Sequence, residues 1–205
     1  VHAEDIKVIR AKAYVDVDSG KLIEKPIVIV KDNRIMSIET GNNAKYSSQA
    51  ELIDLSDKYL VPGLMDMHVH LTGDAEDNFL ASQNYSIPRQ TVKAVKNAHK
   101  TLMAGFTTVR DLGASGYSVI ATRDAINAGE IDGPRIWAVG HAISVTGGHC
   151  DDNFSAPEKN STAKGVANGP WRVREKVREN IKYGANAIKI CATGGVFSKG
   201  TKVGI

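Results

Sequence analysis

Tyr59-Leu-Val-Pro-Gly-Leu-Met-Asp-Met-His-Val-His70 decides how the rest of the chain is read. An apolar run ends in two histidines spaced two apart. On a β-strand such residues point to one face, so the imidazoles of His68 and His70 project together. Two neutral imidazoles on one face supply half of a tetrahedral metal site, or one corner of a two-metal site. Asp66 lies two residues before His68 and is expected on the same face. There it either orients a ligand histidine from behind or is a buried carboxylate bonded to backbone.

Downstream of Pro62-Gly63 a strand–loop–helix grammar repeats. Strand Leu64–His70 precedes a polar loop and a helix over 89–104 closed by Gly105, with Val92, Val95, His99, Leu102 and Met103 on one face. On that face His99 reads as a packing histidine. Strand Phe106–Arg110 and a helix over 117–128 follow. Then come strand Arg135–Ile143, the long loop Thr146-Gly-Gly-His-Cys-Asp-Asp152, and a helix over 171–183 with Val173, Val177 and Ile181 on one face. Strand Ala187–Cys191 completes a fourth unit. Four apolar strands alternating with helices imply a parallel sheet covered by helices. Four units are half of a (β/α)₈ TIM barrel, which needs about 250 residues. A doubly wound sheet is the rival, but no Gly-x-Gly-x-x-Gly follows the first strand.

Upstream, residues 1–60 read as β-structure. Asp5 to Val17 alternates, and Pro26–Val30 and Arg34–Ile38 flank Lys31-Asp32-Asn33 as a hairpin. Glu51–Leu55 adds a short strand, and 40–49 reads as a loop.

At the C-terminal ends of the expected strands, where barrels gather function, further candidates appear. Lys189 sits between Ile188 and Ile190 and faces opposite to them. An inward amine is costly unless paired or altered. It is either a CO2-derived carbamate bridging two cations or a strand-end lysine snorkelling to solvent. His149 follows Gly147-Gly148 and either binds substrate or is a loop histidine without a role. Arg110 and Asp111 end the second strand and are candidate substrate contacts. Asp151 and Asp152 either attract a basic substrate group or are solvated. Thr193-Gly-Gly195 lacks the ending of a phosphate loop and more plainly shapes a pocket wall. His2 and His141 carry no signal.

Composition bounds the partners. The 205 residues are 42% hydrophobic and 24% charged with a formal net charge of +3, ordinary for a globular chain. No block of like charge points to nucleic acid, and no stretch reaches the roughly 20 apolar residues that span a bilayer. Cys150 and Cys191 are too few for a disulfide framework and read as two free, packed thiols. The chain begins at Val1, which fits a cytoplasmic protein or a periplasmic one whose signal peptide was removed.

Taken together, these motifs resemble the amidohydrolase superfamily. Val61-Pro-Gly-Leu-Met-Asp-Met-His-Val-His-Leu71 is similar to its first barrel strand, and Gly105-Phe-Thr-Thr-Val-Arg-Asp-Leu-Gly113 to its second. Thr146-Gly-Gly-His-Cys-Asp151 and Ala187-Ile-Lys-Ile-Cys-Ala-Thr-Gly-Gly-Val196 resemble the branch of imidazolonepropionase-like proteins, Xaa-Pro dipeptidases and arginine/lysine carboxypeptidases. The resemblance implies that His68 and His70 bind the more buried of one or two divalent ions, zinc first, and that Lys189 is the carboxylated bridge. It implies a small β-sandwich built from both ends of a full-length chain, with 1–60 as one segment and 61–205 as the first four β/α units. Its remaining ligands and its general base, an aspartate after the eighth strand, fall outside this sequence, so the chain is expected to be the N-terminal part of a longer enzyme, with the missing C-terminal half as its partner. A homo-oligomer is compatible with the sequence but not determined by it. The function so implied is hydrolysis of a peptide or amide C–N bond by metal-bound hydroxide, on Xaa-Pro or on C-terminal Arg/Lys. The alternatives are a cyclic-amide hydrolase and a non-catalytic half-barrel scaffold.

Overall fold

A computed structural model describes residues 6–41, 44–74, 77–78, 84–195 and 198. The chain divides into two units, Val1–Pro62 and Gly63–Ile205.

In the first unit, β1 (Ile6–Asp16) is the spine of a five-stranded sheet. It runs antiparallel to β3 (Pro26–Lys31) along its first half and to β2 (Lys21–Glu24) along its second. The outer hairpin strand β4 (Arg34–Thr40) pairs with β3. Asp32 and Asn33 both take positive φ, 49° and 64°, the backbone of the tight turn that joins β3 to β4. On its other edge β1 pairs in parallel with β5 (Glu51–Leu60), twice the length expected from the sequence. Val8, Ala11, Ala13, Ile27 and Val28 are buried. Among the described residues this unit is one sheet.

The second unit alternates strand and helix: β6 (Leu64–Val69), α1 (Ile87–Met103), β7 (Phe106–Asp111), α2 (Ser118–Asn127), β8 (Arg135–Ala138), β9 (Ile143–Ser144), α3 (Gly169–Lys182) and β10 (Ile190–Cys191). Strands β6, β7 and β8 are parallel neighbours in chain order, and β9 pairs in parallel with β10. Leu71, Ala94, Ala98, Val109, Val119, Ile120, Ile136 and Ala138 form the buried core. No helix among the described residues is long and apolar enough to cross a membrane.

Helix α1 starts at Ile87 because the Ser86 hydroxyl accepts from the Arg89 N–H at 3.4 Å and Pro88 suits the first turn. Its packing face is not the expected one. Lys93, Ala94 and Ala98 are buried, whereas Val92 and Met103 are 65% and 72% exposed and His99 is exposed rather than packed. Small alanines let the helix sit close on the sheet, and the large side chains lie off that stripe. In α3, likewise, Ile181 is exposed and the buried residue is Asn180.

The third strand, expected to be continuous from Arg135 to Ile143, is broken between Ala138 and Ile143. Gly140 takes φ 70° there, and a Cβ on it would meet the Tyr117 ring at 2.9 Å. Side-chain amides span the gap. Asn180 accepts from the His141 N–H at 3.2 Å and donates to the His141 carbonyl at 2.8 Å. Asn186 donates its backbone N–H to the Ala138 carbonyl at 2.8 Å, and its side-chain oxygen accepts from the Ala138 N–H at 3.1 Å. The fourth strand correspondingly shrinks from the expected Ala187–Cys191 to Ile190–Cys191.

Candidate metal centre

The end of β6 is irregular in a way that serves the histidines. Asp66 pairs with Val109 and Val69 with Asp111, so three steps on β6 face two on β7, a bulge across the first histidine. Two side chains hold it. The Asp66 carboxylate accepts from the His68 N–H at 2.9 Å, the backbone-bonded alternative of the two expected for it. Arg110 Nε donates to the Met67 carbonyl at 2.8 Å. Arg110, a candidate substrate contact, is thereby tied to β6 through its Nε.

The His68 and His70 rings stand 5.4 Å apart between centroids, 66° from coplanar. His70 Nδ1 lies 3.0 Å from the Gly113 carbonyl oxygen. A carbonyl only accepts, so Nδ1 carries a proton, and in the neutral form of the ring the Nε2 lone pair is the one left for a ligand. Gly113 is fixed in turn by Asp111, which is 1% exposed. One Asp111 oxygen accepts from the Leu71 N–H at 2.7 Å and the other from the Gly113 N–H at 3.1 Å. Burial pushes this carboxyl above its ordinary range, while the two N–H bonds and the His70 charge pull it back. Asp111 was a candidate substrate contact. With both oxygens on buried backbone it instead braces the residues on either side of the His70 hydrogen bond.

The His68 pKa falls below its ordinary value, first through burial and then through the positive charges of His70, Lys189 and Arg110. A neutral imidazole is the form that binds metal. Lys189, far from His68 in sequence, is among the charges that act on it. Among the described residues no group of three or more His, Cys, Asp and Glu side chains forms a metal cluster. The donor set offered here is two imidazoles and one lysine amine, which fits a divalent ion once the amine carries a carboxylate.

A cavity of about 1260 Å³ opens beside His70 and is lined also by Tyr117, His141, Cys150, Lys164 and Glu179. His149 follows β9 on the long loop, its N–H donating to the Thr193 carbonyl at 2.9 Å. Asp151 and Asp152 are half-buried and bonded within the loop. Asp151 accepts from the N–H groups of Gly147, Asp152 and Ala163, and Asp152 from those of Phe154 and Ser155. The Ser161 and Ser155 hydroxyls hold the Asp152 carboxyl below its usual range. Both carboxylates knit the loop to itself. Cys150 and Cys191, expected as free thiols, form a disulfide with Cα atoms 5.8 Å apart. No spacing rule connects residues 41 apart; the topology that lays the His149 loop on β10 does.

His141, which carried no sequence signal, stacks edge-on against Tyr117 at 4.7 Å, and burial lowers its pKa. Tyr117 is pushed up to about 12 by burial and by the neighbouring Glu179. The sequence pattern does not single out Asn180 either. Its position three residues after Val177, continuing an apolar stripe, was the available signal.

The family model for the amidohydrolase family matches residues 59–204. This chain belongs to the amidohydrolase family. It is 33% identical over 158 residues to the ochratoxinase of Aspergillus niger, covering 68% of this chain and 32% of that protein. A crystal structure of an Xaa-Pro dipeptidase with methionine bound in its active site superposes with a TM-score of 0.82 at 37% identity, over 95% of this chain and 48% of that one. A prolidase complexed with N-methylphosphonate-L-proline superposes at 0.79 and 31% identity, over 97% and 49%. The amidohydrolase chain therefore spans about half the length of these solved relatives and a third of the ochratoxinase.

Proposed function

We propose that a protein containing this chain hydrolyses a peptide or amide C–N bond, as a dipeptidase or carboxypeptidase acting on Xaa-Pro or on C-terminal Arg/Lys. The observation that carries this is the His70 ring, oriented by the Gly113 carbonyl with Nε2 left open and His68 beside it. The names of the dipeptidase and prolidase relatives favour a peptide bond over a ring. Strands that neighbour each other in chain order, with no reversal, support the first half of a (β/α)₈ barrel over a doubly wound sheet. The sheet of the first unit is read as one part of a β-sandwich.

His68, His70 and Lys189 would hold one or two divalent ions, zinc first. Addition of CO2 to the neutral Lys189 amine gives the carbamate and releases one proton. When bound, such ions lower the pKa of water and polarise a scissile carbonyl. The chain's own residues do the rest. Asp111 and Gly113 fix the His70 tautomer, Arg110 and Asp66 hold the bulge that aims both rings, and His149 meets substrate at the rim. The general base comes from outside this sequence. Of the two compartments we favour the periplasmic one, a reading supported by the Cys150–Cys191 disulfide, since such bonds persist in oxidising surroundings.

The test is the full-length protein, assayed for bound metal and against dipeptides ending in Pro, Arg or Lys alongside lactams and imidazolones. The expected result is at least one ion per protomer, lost in His70→Ala, with cleavage of linear dipeptides. Turnover of rings alone would overturn the peptidase reading, and absence of metal would favour the scaffold.

A further inference from the structure

We infer that the Cys150–Cys191 disulfide is a positioning element of the candidate site, clamping the His149 loop onto the strand end that follows Lys189. The inference rests on the functional reading above and names residues that act through their neighbours.

Cys150 follows His149 directly, and Cys191 lies two residues after Lys189, so one covalent bond joins the neighbours of two candidate site residues. It is not the sole attachment: β9 pairs with β10 at the root of the loop, Ile143 donates its N–H to the Lys189 carbonyl at 2.9 Å, His149 donates its N–H to Thr193, and the Ser144 hydroxyl reaches the Cys191 carbonyl at 3.3 Å. The loop's carboxylates, Asp151 and Asp152, turn inward on the loop itself and add nothing to its hold on β10. Yet the fit is close. A Cβ on Gly148 would come within 3.1 Å of the Cys191 carbonyl, and one on Gly195 would collide with the His149 ring. The ladder roots the loop at Ser144, and the crosslink is the covalent tie further along it, directly beside His149. A side chain that meets substrate has to be held to within roughly 0.5 Å, so its release matters to binding.

Cys191 is 7% exposed, whereas Cys150 is partly exposed and lines the cavity beside His70. A dithiol reductant therefore attacks at Cys150. The protein S–S bond breaks, two electrons and two protons pass to the protein as two thiols, and the reagent leaves as its own disulfide.

The experiment uses the full-length, metal-loaded protein. Alkylation under denaturing conditions without reductant should leave Cys150 and Cys191 unmodified. After dithiothreitol, amide hydrogen exchange over 145–153 and 190–195 should quicken at least tenfold, with β1 unchanged. Metal content should persist while KM for the cleaved dipeptide rises at least fivefold and kcat changes less than twofold. The double variant Cys150→Ser/Cys191→Ser should reproduce these values and ignore dithiothreitol. Alkylated thiols in the untreated protein would overturn the clamp, as would verified reduction that leaves both exchange and KM unchanged. Should the protein cleave no amide in either redox state, the proposed function falls, and the exchange rates alone decide the clamp.

Discussion

Asp111→Ala is the substitution that most directly separates bracing of the candidate metal ligand His70 from contact with substrate. The wild-type carboxylate is 1% exposed and accepts two backbone N–H bonds, at 2.7 Å from Leu71 and 3.1 Å from Gly113. Hydrogen bonds to a charged group contribute about 1.5–3 kcal/mol each, and a buried donor left unpaired costs a similar amount. Against this, alanine relieves the desolvation that raises the Asp111 pKa. The low end of the range for each bond gives a net loss of about 2–4 kcal/mol in unfolding free energy. Because Gly113 also receives the His70 Nδ1 proton, metal affinity should fall by about 10- to 100-fold. Asp111→Asn should fall between, since an amide keeps one acceptor but turns its NH2 toward the other donor. The assay is denaturant unfolding of the metal-free full-length protein, paired with a chelator competition on the loaded one. A stability loss under about 0.5 kcal/mol together with metal affinity within twofold of wild type would refute the bracing role. A rise in KM alone would return Asp111 to the substrate.

Two further predictions concern the third strand. Asn180→Leu leaves the His141 N–H and C=O without their partners and should cost about 2–4 kcal/mol, read as a lower urea midpoint with unchanged slope. A difference below about 0.5 kcal/mol would show that another group takes over. His141 titrates in a burial that lowers its pKa, with Glu179 opposing and Lys176 and Lys164 reinforcing the shift. As pH falls below the ordinary 6.5 the unfolded chain takes the proton first, so the His141 contribution to stability is lost on acidification. The stability of wild type relative to His141→Gln should therefore decline from pH 7 to pH 5.5, and a flat difference would refute it.

Strand parity made His68 and His70 legible as a pair, and the glycines after each helix marked where the units end. The bulge over the same histidines was not legible, because a register slip depends on the partner strand rather than on local pattern. The face of α1 is not legible in the sequence for a related reason. Val92 and Met103 carry the hydrophobic signal, yet the buried positions are Lys93, Ala94 and Ala98. A strand-end aspartate such as Asp111 looks alike whether its carboxylate meets solvent or the next loop's amides. Only the return of the chain at Leu71 and Gly113 decides it. The Cys150–Cys191 pairing was hidden in the same way, since it follows from which loop lies on which strand.

The broken third strand has a consequence for how the site's opening is set. A backbone ladder fixes the stagger between neighbouring strands in whole-residue steps, and no point substitution alters it gradually. Between β8 and the segment entering β10 that role falls to the amides of Asn180 and Asn186. Side chains of different reach shift such a joint by fractions of a residue while every strand keeps its partners. The joint between β8 and the segment that carries Lys189 is thus open to substitution at Asn180 and Asn186 without a change in any strand's pairing.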